Sequence, residues 1–290
     1  MVGFRAPVPT LQSMRSVVRG VRSSTGVFEV STPSRMSFTV EAGAYERPGE
    51  AAGPAPMELL LASLVTCSGS TIEAVLDKMR FAVAGLNVVA DAERAERPPR
   101  VYTSIDLEFH VAVEAPADRL RHAIELTERT CSASVMLAQS VPISPRLVHV
   151  HRVSAAETRR LRRQILRPHQ SIDELAAEED AAATWFAAIR EGEVVGTVSV
   201  SPEASSDGSE AVRPFRLRAM ATSVDLRGRG LGAVMLAAAV DHVRSESGDE
   251  VWCSARVPAA GFYRRHGFVE TSATYDVEHI GPHVRMALRL

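Results

Sequence analysis

"RLRAMATSVDLRGRGLGAVMLAAAVDHV", residues 216–243, decides the reading of the second half of this chain. A β-prone run ends, Gly228, Gly230 and Gly232 follow at alternate positions, and an apolar helix starts at once. Glycines let the backbone approach a ligand closely. A helix N-terminus presents unpaired N–H groups at the positive end of its dipole, so the pattern suits a phosphate. Two better-known phosphate loops are excluded. A Walker loop ends in Gly-Lys-Ser/Thr, and a dinucleotide loop needs G-x-G-x-x-G; neither is present. On the residues alone, a glycine-rich turn ahead of an amphipathic helix remains the alternative.

Working outward, 290 residues predict two domains. A composition 46% hydrophobic and 23% charged supports proper cores and argues against disorder. The formal charge of −2 argues against an electrostatic nucleic-acid binder, although arginine heavily outnumbers lysine. Three cysteines make no disulfide scaffold and point to a reducing, cytoplasmic setting. No run reaches the ~18 continuous apolar residues of a membrane span. The opening "MVGFRAPVPTLQSMRSVVRG" is a poor signal peptide, and its arginine-rich, acid-poor character is only weakly that of a transit peptide.

The first half reads as α+β. "SVVRGV", "GVFEVS" and "MSFTVEAG" are strand candidates, and a Pro/Gly/Ala loop leads to "PMELLLASLVTCSGSTIEAVLDKM", residues 56–79. Leu59, Leu60, Leu61, Leu64 and Val65 make that helix apolar nearly all round, which predicts a place at the centre of a core. In "RVYTSIDLEFHVAVE" the residues Val101, Thr103, Ile105, Leu107, Phe109, Val111 and Val113 fall on one face of a strand. Two helices follow, the second opening at Cys131, and "ISPRLVHVHRV" closes the half as a strand. The predicted domains are residues 1–152 and 153–290. The second half continues as a charged helix, a second helix, a hairpin turning at Glu191-Gly192, a disordered-looking "EASSDGSEAV", and then the glycine-loop segment. A strand around Cys253, a short helix and a strand pair complete it. His149 and His151 alternate on a strand and read as solvent-facing. No Cys/His cluster has metal-ligand spacing, so no metal is expected.

The run Arg227-Gly228-Arg229-Gly230-Leu231-Gly232 resembles the coenzyme A pyrophosphate loop of the GNAT acetyltransferase superfamily. Phe262-Tyr263 followed by Gly267-Phe268, and the ending "IGPHVRMAL", are similar to further elements of that family. The resemblance spans about 155–290. It implies an α/β domain with a mixed sheet and direct transfer from acetyl-CoA to an amine. Backbone groups near Met220 and Thr222 would hold the pantetheine, and Arg227, Gly228, Arg229, Gly230, Leu231 and Gly232 the pyrophosphate. Tyr263 would protonate the departing thiolate. The amine needs a base or a water relay, for which His283 and Glu278 are candidates.

Cys67 lies midway along the apolar helix and Cys131 where one helix ends and another begins. Taken as residues, they read as packing or as a reactive pair, since a helix N-terminus favours thiolate. "GPAPMELLLASLVTCSGSTI", "RVYTSIDLEFHV" and "CSASVMLAQSVPIS" together resemble the OsmC/Ohr family, which includes thiol peroxidases. The resemblance implies an antiparallel sheet around a central buried helix and an intertwined homodimer. It also implies reduction of organic hydroperoxides by Cys67, resolution by Cys131, and a dithiol reductant. Glu58 matches the family's glutamate. Arg35, rather than Arg19 or Arg22, is the preferred arginine. Ser132 departs from the Pro-Tyr that follows the second cysteine in the hydroperoxide-resistance branch. An acetyltransferase whose first half only dimerises or senses oxidants is the alternative. Cys253, on a strand of the second half, reads as packing.

Overall fold

The computed structural model describes residues 16–47, 49–179, 181–205, 209–278 and 280–290. Most of the opening segment weighed as a leader, and the middle of "EASSDGSEAV", lie outside the described residues. The chain divides into two compact units, Met1–Ser63 and Leu64–Leu290.

The first unit holds an antiparallel meander, β1 (Arg19–Ser24), β2 (Val27–Ser31) and β3 (Ser37–Glu41). It ends in the first turns of α1 (Pro56–Lys78), which runs on into the second unit. Pro56 opens the helix, where a missing N–H does no harm. Glu58 closes the cap, its Oε2 accepting from the Ala55 N–H at 2.8 Å. The sequence predicted burial nearly all round. The helix instead buries one stripe, Leu64, Ser68, Ile72 and Leu76, because four-residue spacing returns to the same face. Leu60 is 43% exposed. With 23 residues and a mean hydropathy of 1.7, α1 is long and apolar enough to cross a membrane, the one such helix among the described residues.

The second unit is built on a ten-stranded sheet. Its elements from the first half are β4 (Val83–Arg94), β5 (Tyr102–Val113), α2 (Ala117–Thr130), α3 (Ser132–Leu137) and β6 (Ile143–Val153). β4 and β5 are antiparallel, while β6 returns parallel to β5 after the two helices, as such a crossover requires. Then come α4 (Ala155–Ile165), α5 (Ile172–Ala177), β7 (Thr184–Arg190), β8 (Glu193–Pro202), β9 (Pro214–Thr222) and α6 (Leu231–Ser245). β10 (Glu250–Arg256), α7 (Ala260–Arg265), β11 (Val269–Glu270), β12 (Tyr275–Val277) and β13 (Gly281–Arg289) complete the chain. The strand order is β11-β13-β10-β9-β8-β7-β6-β5-β4, with β12 on β13. β6 pairs β5 on one edge and β7 on the other, so one strand belongs to the sheets of both halves.

Two helices cover opposite faces of this sheet. Trp185 lies under the Arg162 guanidinium of α4, 4.3 Å from its ring centroid. Its neighbour Phe186 meets His242 of α6, and adjacent strand residues point to opposite faces. The core on the α6 side gathers Val198, Val200, Leu217, Met235, Cys253 and Tyr263. α6 also covers β4 and β5. This explains a departure from expectation in β5, where alternation predicted one buried face. From Leu107 onward both faces are buried, Glu108, His110 and Ala112 included.

Candidate functional site

The pairing of β9 with β10 starts at Pro214↔Glu250 and stops at Leu217↔Cys253. Beyond that point the two parallel strands part. β9 carries an irregularity in its ladder with β8 between Arg218 and Ala221, and Ala219 there has φ of 52°, the left-handed region a side chain disfavours. The bulge turns the backbone of Met220–Thr222 at the mouth of the gap. A cleft of about 1090 Å³ opens along it, walled among others by Met220, Thr222, Arg227, Phe262, Tyr263 and His283.

Gly228 and Gly230 adopt left-handed φ of 75° and 81°, and Gly230 is the residue from which α6 starts. A Cβ at Gly232 would lie 3.3 Å from the Phe262 ring, so glycine lets α6 and α7 approach closely. Leu231 is fully buried as the first helical residue. Arg229 points elsewhere: its guanidinium pairs with Asp91, and its carbonyl accepts from Asn87 Nδ2 at 2.9 Å. The splayed strands, the bulge and a helix N-terminus with left-handed glycines fit a long thioester co-substrate with a pyrophosphate.

Tyr263 is 6% exposed and hydrogen-bonds the Cys253 sulfur. Burial first, and then that thiol, push its phenol well above the usual range. Burial pushes Cys253 up to about 12 against the opposing pull of Arg216 and Tyr263. The sequence read Cys253 as packing; alternation in β10, with Val251 and Ala255 buried on its face, is the signal that sets it beside Tyr263. His283 is buried, and its Nδ1 lies 2.7 Å from the Gly281 carbonyl, which can only accept. In the neutral ring this places the proton on Nδ1 and the lone pair on Nε2. Glu278 stands exposed in the turn between β12 and β13 and is not part of the cleft wall.

The structure brings the two other cysteines together as free thiols. Cys131 caps α3 and is fully buried; Cys67 is half-buried on α1. Ser68 Oγ lies 3.4 Å from Cys131 Sγ, and the Cys67 thiol hydrogen-bonds the same sulfur. Burial raises the Cys131 thiol. The Ser68 hydroxyl, the Ser134 N–H, Cys67 and the Ala133 N–H outweigh that and hold it below the ordinary thiol range. In the first unit Glu58 is engaged in capping α1, and Arg35 is exposed in a turn with φ of 63°. Arg19 and Arg22 are exposed on β1. Among the described residues no group of three or more His, Cys, Asp or Glu could hold a metal. His149 is not solvent-facing as expected: it is 6% exposed, with Nε2 2.9 Å from the Val113 carbonyl, because α2 and β5 cover that stretch of β6.

A splayed parallel strand pair closed by a glycine-loop helix, joined through a common strand to a two-thiol helical site, defines a two-part chain. The OsmC-like protein family matches residues 49–146, and the GNAT acetyltransferase family residues 151–268. The uncharacterized N-acetyltransferase YitI of Bacillus subtilis is 34% identical over 143 residues, covering 48% of this chain and 95% of YitI. Protein YhfA of Escherichia coli is 34% identical over 105 residues, covering 36% of this chain and 75% of YhfA. A crystal structure of an OsmC-like protein from Mycoplasma pneumoniae is 17% identical, covering 48% of this chain and all of the other at a TM-score of 0.44. The chain belongs to both families, with an OsmC-like domain followed by a GNAT acetyltransferase domain.

Proposed function

We propose that this protein transfers an acetyl group from acetyl-CoA to an amine. The observation that carries the reading is the parting of β9 from β10 beside Tyr263 and the left-handed glycines. Met220 and Thr222 would hold the pantetheine, and the loop Arg227–Gly232 the pyrophosphate. The bound co-substrate supplies an activated acetyl group and leaves as a thiol. Tyr263 keeps a phenolic proton at any ordinary pH, available to the leaving sulfur. His283 Nε2 takes the amine's proton. Tyr263→Phe should lower kcat about a hundredfold or more while calorimetry shows unchanged acetyl-CoA affinity. Lost binding with lost turnover would instead mark Tyr263 as structural.

The contact between Cys67 and Cys131 favours a second activity, reduction of an organic hydroperoxide. Cys67 thiolate would attack the terminal peroxide oxygen. The O–O bond breaks, an alcohol leaves, and Cys67 becomes a sulfenic acid. Cys131 thiolate then displaces water to form the disulfide, and an external dithiol restores both thiols. Peptide mapping after one equivalent of cumene hydroperoxide should find a Cys67–Cys131 disulfide in the wild type and Cys67 sulfenic acid in Cys131→Ser. Unchanged thiols would leave the first half as a dimerisation or sensing module. The free thiols suit a reducing cytoplasm. Met136, 72% exposed on α3, suits a homodimer, and a single-chain mass by light scattering would overturn that reading.

A further inference from the structure

The cleft is rich in arginine, and three of its guanidiniums are neutralised where they stand. On the α4 side of the sheet Arg216 and Arg218 each reach Glu203 at 2.7 Å, and Arg162 reaches Glu179 at 2.5 Å. Two others differ. Arg167 follows α4 and Arg256 ends β10, and both line the cleft. Both donate to one atom, the Leu166 carbonyl oxygen, Arg167 Nη1 at 3.4 Å and Arg256 Nη2 at 3.2 Å. Among the described residues neither has a carboxylate within ion-pair distance. The nearest acid acting on Arg167 is Glu178, which already accepts from Gln170 Nε2 at 2.7 Å. Burial, and then the like charge of Arg256, hold Arg167 below the ordinary guanidinium range. Arg167 is half-buried and Arg256 exposed, and two guanidiniums converging on one point of a cleft wall suit a bidentate anion such as a carboxylate.

That anion is not the pyrophosphate of the co-substrate. Cys253 and Ala255 point into the core beneath α6, so alternation along β10 sends Ser254 and Arg256 to the opposite face, where α4 packs. The glycine loop and α6 lie across the sheet from the arginine pair. The wall bearing the pair is shared with His283, the residue assigned to the amine. Resting on the acetyltransferase reading above, we propose that the acetyl acceptor is an amine bearing a carboxylate, bound through Arg167 and Arg256 while its amino group faces His283.

The test is the CoA-loaded full chain, in wild type and in Arg167→Gln and Arg256→Gln. Calorimetry measures binding of the N-acetyl derivatives of the twenty amino acids and of their N-methylamides, which lack the α-carboxylate, and a thiol-release assay measures turnover of the parent amines. At least one acid should bind about tenfold or more tighter than its amide, with that preference lost in both variants and CoA affinity unchanged. Equal binding of acids and amides by the wild type, or no binding of either, overturns the proposal. So does a loss of CoA affinity in the variants, which would assign the pair to the co-substrate. If the acids bind as expected but no amine is acetylated, the anion site stands and the acetyltransferase reading falls.

Discussion

Burial alone would make Cys131 a poor thiolate, yet its net shift is downward, so the hydrogen bonds around its sulfur dominate. Ser68 is the largest of these and sits one residue after Cys67 on α1, at the position of the buried stripe. A lowered thiol pKa means that thiolate appears at lower pH. The ultraviolet absorbance of Cys131 thiolate should therefore rise with a midpoint below that of an ordinary cysteine. Cys253, pushed up to about 12, does not contribute below that pH. In Ser68→Ala the midpoint should move up; a midpoint unmoved by Ser68→Ala would mean that Cys67 and the backbone N–H groups hold the thiolate without it. A thiol held below its ordinary range is more readily ionised, and thiolate is the form that would attack a sulfenic acid in the proposed order, Cys67 first and Cys131 second.

The helix α6 shows why local chemistry was legible at the scale of elements. Glycines at alternate positions, an abrupt apolar run and Phe262-Tyr263 further on are signals in consecutive residues, and they fixed the loop and its helix. Gly230→Ala tests that reading. At φ of 81° an alanine is strained, and its Cβ would stand 2.8 Å from the Asn87 side chain. Stability should fall by about 1–2 kcal/mol, read as a lower Tm, and acetyl-CoA should bind more weakly. Equal affinity and equal Tm would mean that the loop tolerates a side chain and is no close-approach site. The bulge at Ala219 had no such signal, since an alanine at positive φ leaves no mark in composition. The pair Arg167 and Arg256 was equally silent, because strand alternation and the end of α4 bring together residues far apart in sequence.

In the second unit the sheet crosses from the OsmC-like domain to the GNAT domain through β6, and this was not legible as sharing. Sequence reading ended one half on that strand because it ranks elements in order and cannot see both edges of one. The consequence reaches the glycine loop proposed to hold the co-substrate. Asn87 on β4 donates to the Arg229 carbonyl, Asp91 on the same strand holds the Arg229 guanidinium, and His110 Nδ1 lies 3.2 Å from Asn87 Nδ2. Asn87 and Asp91 carry no signal of their own in the sequence; the packing of α6 over β4 brings the loop ahead of α6 within their reach. The loop's carbonyl is thus fixed by the other domain. Asn87→Ala should weaken acetyl-CoA binding roughly two- to tenfold, the worth of one hydrogen bond. Asp91→Asn should do less, since an exposed pair contributes only about 0–1 kcal/mol. The comparison is made by calorimetry on the full chain, with thermal unfolding as the control. If Asn87→Ala lowers Tm but leaves the affinity intact, the strand only supports α6. If affinity falls at unchanged Tm, the OsmC-like domain positions the loop, and any change in its sheet has a direct route to acetyl transfer.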